Sequence, residues 1–300
     1  MKKTLAMMTA AMMVAGALAG CGSSSSTPAA TTAAATEAVT TAAATAAATD
    51  AATTEAGDTA AAAEGTVKTP SGKFTVGFDQ EFPPMGFVGD DGQFTGFDLD
   101  LAKEVASRLG LEFVPQPINW DAKDMELDSG NIDCIWNGFT MQGREDDYTW
   151  VGPYMANNQV FVVTADSDIA SKADLAGKAV EVQKDSSGLA ALQGEAELST
   201  SFGSMTEVAD YNTALMDLES GACDAVCMDS IVAGYQIKSS GKDMKILDDT
   251  LAAEEYGIGF KKGEDELAKA VYDTLMAMKD DGTVAKISND WFGSDVFTLK

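Results

Sequence analysis

From Gly72 to the end of the chain, apolar runs of strand length alternate with amphipathic runs of helix length. That alternation restricts the folded part to a layered α/β architecture with largely parallel sheets. Lys73–Phe78 reads as a buried strand. Asp98 is expected to cap a helix carrying Leu101, Val105 and Leu109 at i, i+4, i+8, closed by Gly110. Leu111–Val114 is the next strand, Asp121–Ser129 a helix ending at Gly130, and Ile132–Trp136 another strand. The pattern then restarts. Gln159–Val163, Ala179–Val182, Asp224–Met228, Ile246–Asp248 and Tyr256–Phe260 read as strands. Ser204-Met-Thr-Glu207 has the form of a capping box opening a helix with Val208, Tyr211, Leu215 and Leu218. Two helices follow, one lined by Leu267, Val271, Leu275 and Met278, the other capped by Thr283.

The segment before Gly72 has another texture. Met1-Lys2-Lys3, an apolar run from Leu5 to Leu18 and the small residues Ala19-Gly20 have the organisation of a secretory signal. The run is shorter than the ~20 residues a membrane-spanning helix needs. Cys21, directly after the expected cleavage site, makes Leu18-Ala-Gly-Cys21 resemble the lipobox of bacterial lipoproteins. The resemblance implies removal of residues 1–20 and a diacylglyceryl anchor on Cys21, with palmitate-type acylation. Residues 22–70 are Ala/Thr/Ser-rich without aromatics, so 21–70 reads as a lipidated Cys followed by a disordered tether. Its reach is ~35–42 Å r.m.s..

Composition excludes several classes of chemistry. The chain has 300 residues and no histidine, which removes Ser-His-Asp and Cys-His nucleophilic mechanisms and His-ligated metal sites. No cofactor and no metal are expected. The formal net charge is −27, and loss of Lys2 and Lys3 with the signal makes it more negative. Such a chain is repelled by nucleic-acid phosphates and anionic lipid head groups. Beyond Cys21 there are Cys134, Cys223 and Cys227. Cys223 and Cys227 flank one expected strand and would lie ~13 Å apart, too far to bridge. All three read as buried small hydrophobes.

Four segments carry a resemblance to a known family: Val76-Gly-Phe-Asp79-Gln-Glu-Phe82-Pro-Pro84, Gly96-Phe-Asp-Leu-Asp-Leu-Ala102, Gly138-Phe-Thr140 with Arg144, and Tyr256-Gly-Ile-Gly-Phe260 through Asp281-Gly282 to Asp290-Trp-Phe-Gly293. From about Lys73 to Gly293 the chain resembles the extracytoplasmic solute-binding proteins (family 3) of polar amino-acid ABC transporters. The resemblance implies two α/β lobes joined by two crossing strands, the Venus-flytrap or periplasmic-binding-protein fold. Residues 71–157 plus 252–300 would form one lobe and 158–251 the other. The crossings are expected near Tyr154–Val160 and Asp248–Tyr256.

A free amino acid presents a carboxylate and an ammonium, and each needs a fixed partner when buried. Arg144 matches the family's carboxylate-binding arginine, four residues after Thr140 where the family has five. Its planar fork suits a carboxylate; the plainer role is a surface pair with Glu145 or Asp146. Thr140 and the groups around Asn137 and Gly138 match first-lobe contacts. Ser186 and Ser187 precede a helix, where free N–H groups favour an anion, and an ordinary N-cap is compatible with that. Asp229 matches the ammonium-binding aspartate; its plainer role is a helix cap. Asp79 matches a position meeting the ligand side chain, and Phe82 and Trp120 match aromatic walls that could equally be core. Gln183 and Met228 would shape the far end. Asp79 favours a polar or basic ligand that donates hydrogen bonds.

The expected protein is thus a non-enzymatic, lipid-anchored receptor, monomeric, on the extracytoplasmic face of the membrane. It would pass an amino acid to ABC permease subunits. The ATPase would be a separate chain, since no GxxxxGK[ST] occurs. One alternative is a dehydratase of small carboxylic acids, for which Glu81 and Glu181 are the nearby acids, both read as solvated. Another is a ligand-sensing subunit of a signalling receptor, acting through a partner.

Overall fold

The computed structural model describes Thr69 and residues 71–300. The expected signal segment, Cys21 and nearly all of the 21–70 stretch lie outside the described residues. Strand β1 (Lys73–Phe78) is followed by three short strands, β2 (Glu81–Phe82), β3 (Gly86–Val88) and β4 (Phe94–Thr95), which make a small antiparallel sheet. Then come α1 (Phe97–Leu109), β5 (Glu112–Pro117), α2 (Lys123–Asp128), β6 (Cys134–Thr140) and the long β7 (Tyr148–Thr164). Next are β8 (Ala179–Gln183), α3 (Ser187–Gly194), α4 (Ala196–Ser199), β9 (Ser204–Val208), α5 (Tyr211–Ser220), β10 (Ala225–Asp229) and α6 (Ser230–Ser240). The chain closes with the long β11 (Met244–Lys261), α7 (Asp265–Asp280) and α8 (Thr283–Phe292).

The main sheet has the order β5-β1-β6-β11-β7-β10-β8-β9. At one side β5, β1 and β6 run parallel, and at the other β10, β8 and β9 do. The antiparallel pair β7/β11 joins them. Tyr256–Phe260 of β11 meet β6, whereas Gln159–Val162 of β7 meet β10. The two long strands therefore pass from one parallel set to the other, and their own ladder is broken by register shifts between Ile246 and Thr250 and between Thr250 and Ala252. Such bulges add local twist and bend. This is the two-lobed α/β arrangement with two crossing strands.

The first parallel set is covered by α1, whose Phe97, Leu101 and Val105 are fully buried against Phe74, Val76 and Phe78 of β1. The second set packs Phe161, Val180 and Val182 against Leu189 and Leu192 of α3. Each such side chain contributes ~1.5–3 kcal/mol by leaving water. Cys134, Cys223 and Cys227 are free and buried, and burial pushes all three thiols up, Cys223 to about 12.

Four expectations need correction. Thr283 is the opening residue of α8 rather than its cap, and Gly282 holds the N-cap position. The short strands expected at Gln159–Val163, Ile246–Asp248 and Tyr256–Phe260 are parts of β7 and β11. Polar runs such as Asn157-Asn158 and Glu254-Glu255 interrupt the apolar pattern there, because the crossing segment faces polar groups of both halves. Ser204–Val208 is an edge strand paired with β8, not a helix start. Sheet pairing outcompetes the capping-box pattern, and Asp210 caps α5 instead, accepting from Thr213 N at 2.7 Å. Asp98 is not the cap of α1. Gly96 holds that position, and the Asp98 carboxylate turns inward from the first turn.

Candidate functional site

The C-terminal ends of the parallel strands converge, which is where open α/β sheets place ligands. On one side β1 delivers Asp79, β5 leads to Trp120, and β6 delivers Asn137, Gly138 and Thr140 before the turn to Arg144. On the other, β8 delivers Gln183 and the turn to Ser186 and Ser187, and β10 delivers Asp229. The fully buried β6 ends in Asn137 and Thr140, whose side-chain oxygens meet Asp79 N and the Ser187 and Glu254 side chains.

Phe82, Trp120, Gly138, Thr140, Arg144, Gln183, Ser186, Ser187 and Asp229 border one small cavity of about 10 Å³. That is about one water-sized sphere, so a solute enters only as the walls separate. Thr140 Oγ1 lies within hydrogen-bond distance of Ser187 Oγ, at 3.2 Å, across the junction. The Arg144 guanidinium lies over the Phe139 ring at 5.2 Å and donates to Thr140 O at 3.2 Å and Asp185 O at 3.4 Å. It is thus aimed inward rather than paired with Glu145 or Asp146. Ser186 does cap α3, accepting from Leu189 N at 3.1 Å.

Asp229 holds the N-cap position of α6, but its side chain makes no capping hydrogen bond there. Its carboxylate accepts from Asn157 Nδ2 at 2.7 Å, Tyr256 Oη at 2.7 Å and Tyr211 Oη at 3.0 Å. Burial raises its pKa, and the hydrogen bonds from Tyr256 and Tyr211 partly oppose the rise. Asp79 and Asn137 do not border the small cavity. Asn137 is buried and its Oδ1 accepts from Asp79 N at 2.8 Å, so it sets the backbone of Asp79. Asp79 Oδ2 accepts from Gln183 Nε2 at 2.7 Å, a bond between the two halves. Burial pushes Asp79 up to about 6. Asp79 and Trp120 also border a larger chamber of about 880 Å³, rich in carboxylates: Glu81, Asp121, Glu126, Glu207 and Asp210, with Lys184 the one cation. Phe82 is buried, its ring 5.8 Å from Tyr211, and half-buried Trp120 meets Phe139 edge-on. Met228 is in the core and borders neither cavity.

Several residues at the site had no place in the sequence reading. Glu254 of β11 is buried, accepts a close hydrogen bond from Thr140 Oγ1 and another from Ser187 Oγ at 3.4 Å, and so touches both halves. Desolvation, then the charge of Asp229, pushes it up to about 7. The alternation Glu254, Tyr256 along one strand face was its signal. Asp98 Oδ2 accepts from Gly138 N at 2.7 Å and Tyr154 Oη at 2.8 Å, and burial pushes it up to about 7. It fixes Gly138 in the left-handed region, at φ +55°. Glu181, read as solvated, is buried beside Cys223 and Asp217, away from both cavities. Among the described residues no cluster of acidic or Cys side chains could hold a metal ion. Nor is any described helix long and apolar enough to cross a membrane.

Two α/β halves on crossing strands, with charged side chains from both meeting at the strand ends, define a hinged solute-binding protein. The sequence profile of the bacterial extracellular solute-binding proteins, family 3, matches residues 74–294, and the chain belongs to that family. Its role is binding, not catalysis. The L-cystine-binding protein TcyJ of Escherichia coli is 32% identical over 231 residues, 75% of this chain and 84% of that protein. TcyA of Bacillus subtilis, also an L-cystine-binding protein, is 32% identical over 229 residues, 75% of this chain and 83% of that one. A crystal structure of an ABC uptake transporter substrate-binding protein from Streptococcus pneumoniae with bound histidine is 34% identical. It superposes with a TM-score of 0.74 over 76% of this chain and 96% of that one.

Proposed function

We propose that the protein captures a free polar or basic amino acid at the junction of its halves and hands it to ABC permease subunits. The observation that carries this reading is the single cavity bordered by Arg144 and Asp229 with Thr140, Ser186 and Ser187 between two separable halves. Arg144 takes the carboxylate and Asp229 the ammonium. Thr140, Ser186, Ser187 and the backbone at Gly138 add hydrogen bonds, and Phe82 and Trp120 wall the side chain. Asn137 serves indirectly, through Asp79. The side chain points toward Asp79, Gln183 and the acidic chamber, which favours donors and cations over acids.

Residues 71–157 with 252–300 form one lobe and 158–251 the other, with the hinge in the crossing strands. The anchor is the lipid on Cys21, residues 1–20 are removed, residues 21–70 are the tether, and the receptor acts as a monomer outside the cytoplasm. Cystine is a second candidate ligand: its distal ammonium matches the carboxylates of a chamber of about 880 Å³, more room than one short side chain needs. A thermal-shift screen over the twenty amino acids and cystine tests the reading. Lys, Arg, His, Gln or cystine should stabilise the protein by ~2.7 kcal/mol at a hundredfold excess over Kd. A response confined to Leu or Glu would remove Asp79 from the ligand contacts, and no response at all would overturn amino-acid capture.

A further inference from the structure

Lys123, the first residue of α2, is the one buried lysine or arginine among the described residues. A lysine is almost never fully buried unless it is paired. Its own half of the molecule supplies the Trp120 ring at 5.3 Å and the Trp120 carbonyl at 3.5 Å. Its carboxylate partner, Asp185, comes from the other half. Asp185 sits in the turn between β8 and α3 and has φ +57°, the one positive φ outside glycine among the described residues. Its carbonyl also accepts from Lys123 at 3.5 Å and from Arg144 at 3.4 Å. Thus the turn that carries Gln183, Ser186 and Ser187 is gripped by two cations of the opposite half. A second pair, Lys184 with Asp121 at 2.6 Å, links the same segments with reversed polarity, but it is exposed and contributes little.

We propose that Lys123 is a positioning residue for solute binding: it pairs with Asp185 only when the halves are together, and so sets the Gln183–Ser187 turn over the ligand. The inference rests on the solute-binding reading above. Its physical basis is an asymmetry. Lys123 is buried whereas the Asp185 side chain is half exposed, so removing Asp185 leaves an uncompensated buried charge, while replacing both by neutral groups is close to neutral.

Titration calorimetry and stopped-flow dissociation with L-arginine, L-histidine and L-cystine test it on four proteins: wild type, Asp185→Asn, Lys123→Met and the double variant. Asp185→Asn should weaken binding ~30-fold or more, mainly through faster dissociation. The double variant should return to within ~tenfold of wild type. Unchanged affinity in Asp185→Asn, or a double variant as weak as that single one, overturns the proposal. Amide exchange of residues 183–187 without added solute is the independent readout. Lys123→Met, which buries no orphan charge, should lose protection there and keep it in β1 and β6; equal protection in wild type and variant also overturns the proposal. If wild type binds none of the three solutes, the ligand assignment fails, and the exchange measurement still decides the role of Lys123.

Discussion

Glu254→Gln should change how stability depends on pH. In the folded protein Glu254 has left water and lies near the Asp229 carboxylate, which together push it from 4.5 up to about 7. A carboxyl whose folded pKa is raised binds more protons folded than unfolded between the two values. Stability therefore falls as pH rises through that window, from about 4.5 to about 7, and is level outside it. At ~1.36 kcal/mol per unit the full swing is ~3 kcal/mol. Glutamine keeps the acceptor for Thr140 and Ser187 and has no charge to desolvate. The stability advantage of the variant over wild type should then grow by up to ~3 kcal/mol from pH 4.5 to 8, or ~6–12 °C in Tm for a domain of this size. Urea denaturation at half-unit pH steps measures it. Parallel curves for the two proteins from pH 4.5 to 8 would refute both the buried state of Glu254 and its coupling to Asp229.

Asp229→Ala and Arg144→Ala should each weaken amino-acid binding by ~2–5 kcal/mol in calorimetry, as loss of a partner to a buried charge does; near-normal Kd in either removes that residue from the site. Gly138→Ala should lower Tm and binding together, because at φ +55° its new Cβ would sit 2.9 Å from Phe82 and 3.1 Å from Tyr256. A variant with unchanged Tm would show that the backbone there is not constrained. Cys21→Ala should move the protein from the membrane fraction to the medium, and retention in membranes would remove the lipid anchor.

The layered class was legible because strand and helix periods differ and because glycines such as Gly110 and Gly221 close helices in the left-handed conformation. The long crossing strands were not. A strand that serves both halves alternates between two environments, so no single apolar period runs along it. Among site residues, those at strand ends with a recognisable family position, Arg144, Thr140, Ser187 and Asp229, do meet at one cavity. Asn137 and Met228 do not border it: a buried side chain one residue along a strand points to the opposite face. Glu254 and Lys123 escaped the reading because an acid or lysine on a short polar run looks solvated, and Asp98 because an aspartate at the start of a helical pattern reads as a cap. Only tertiary pairing with Ser187, Asp185 and Gly138 reveals them as buried.

The charged groups of the site already have partners within the protein, and this sets the scale of binding. Asp229 holds three donors, Asp79 takes the Gln183 amide, and Arg144 takes two carbonyls. A solute that enters exchanges its ammonium and carboxylate for these contacts rather than adding to an unsatisfied site. Net affinity is then the difference between two nearly complete hydrogen-bond sets, less the entropy of immobilising the solute. A Kd near micromolar, about 8 kcal/mol, follows more naturally from such an exchange than a far tighter one. The same exchange explains how a receptor with buried charges releases its cargo. Asp229 accepts from Tyr211 Oη at 3.0 Å and Asp79 from Glu81 N at 2.8 Å, so each carboxylate has a donor besides the solute.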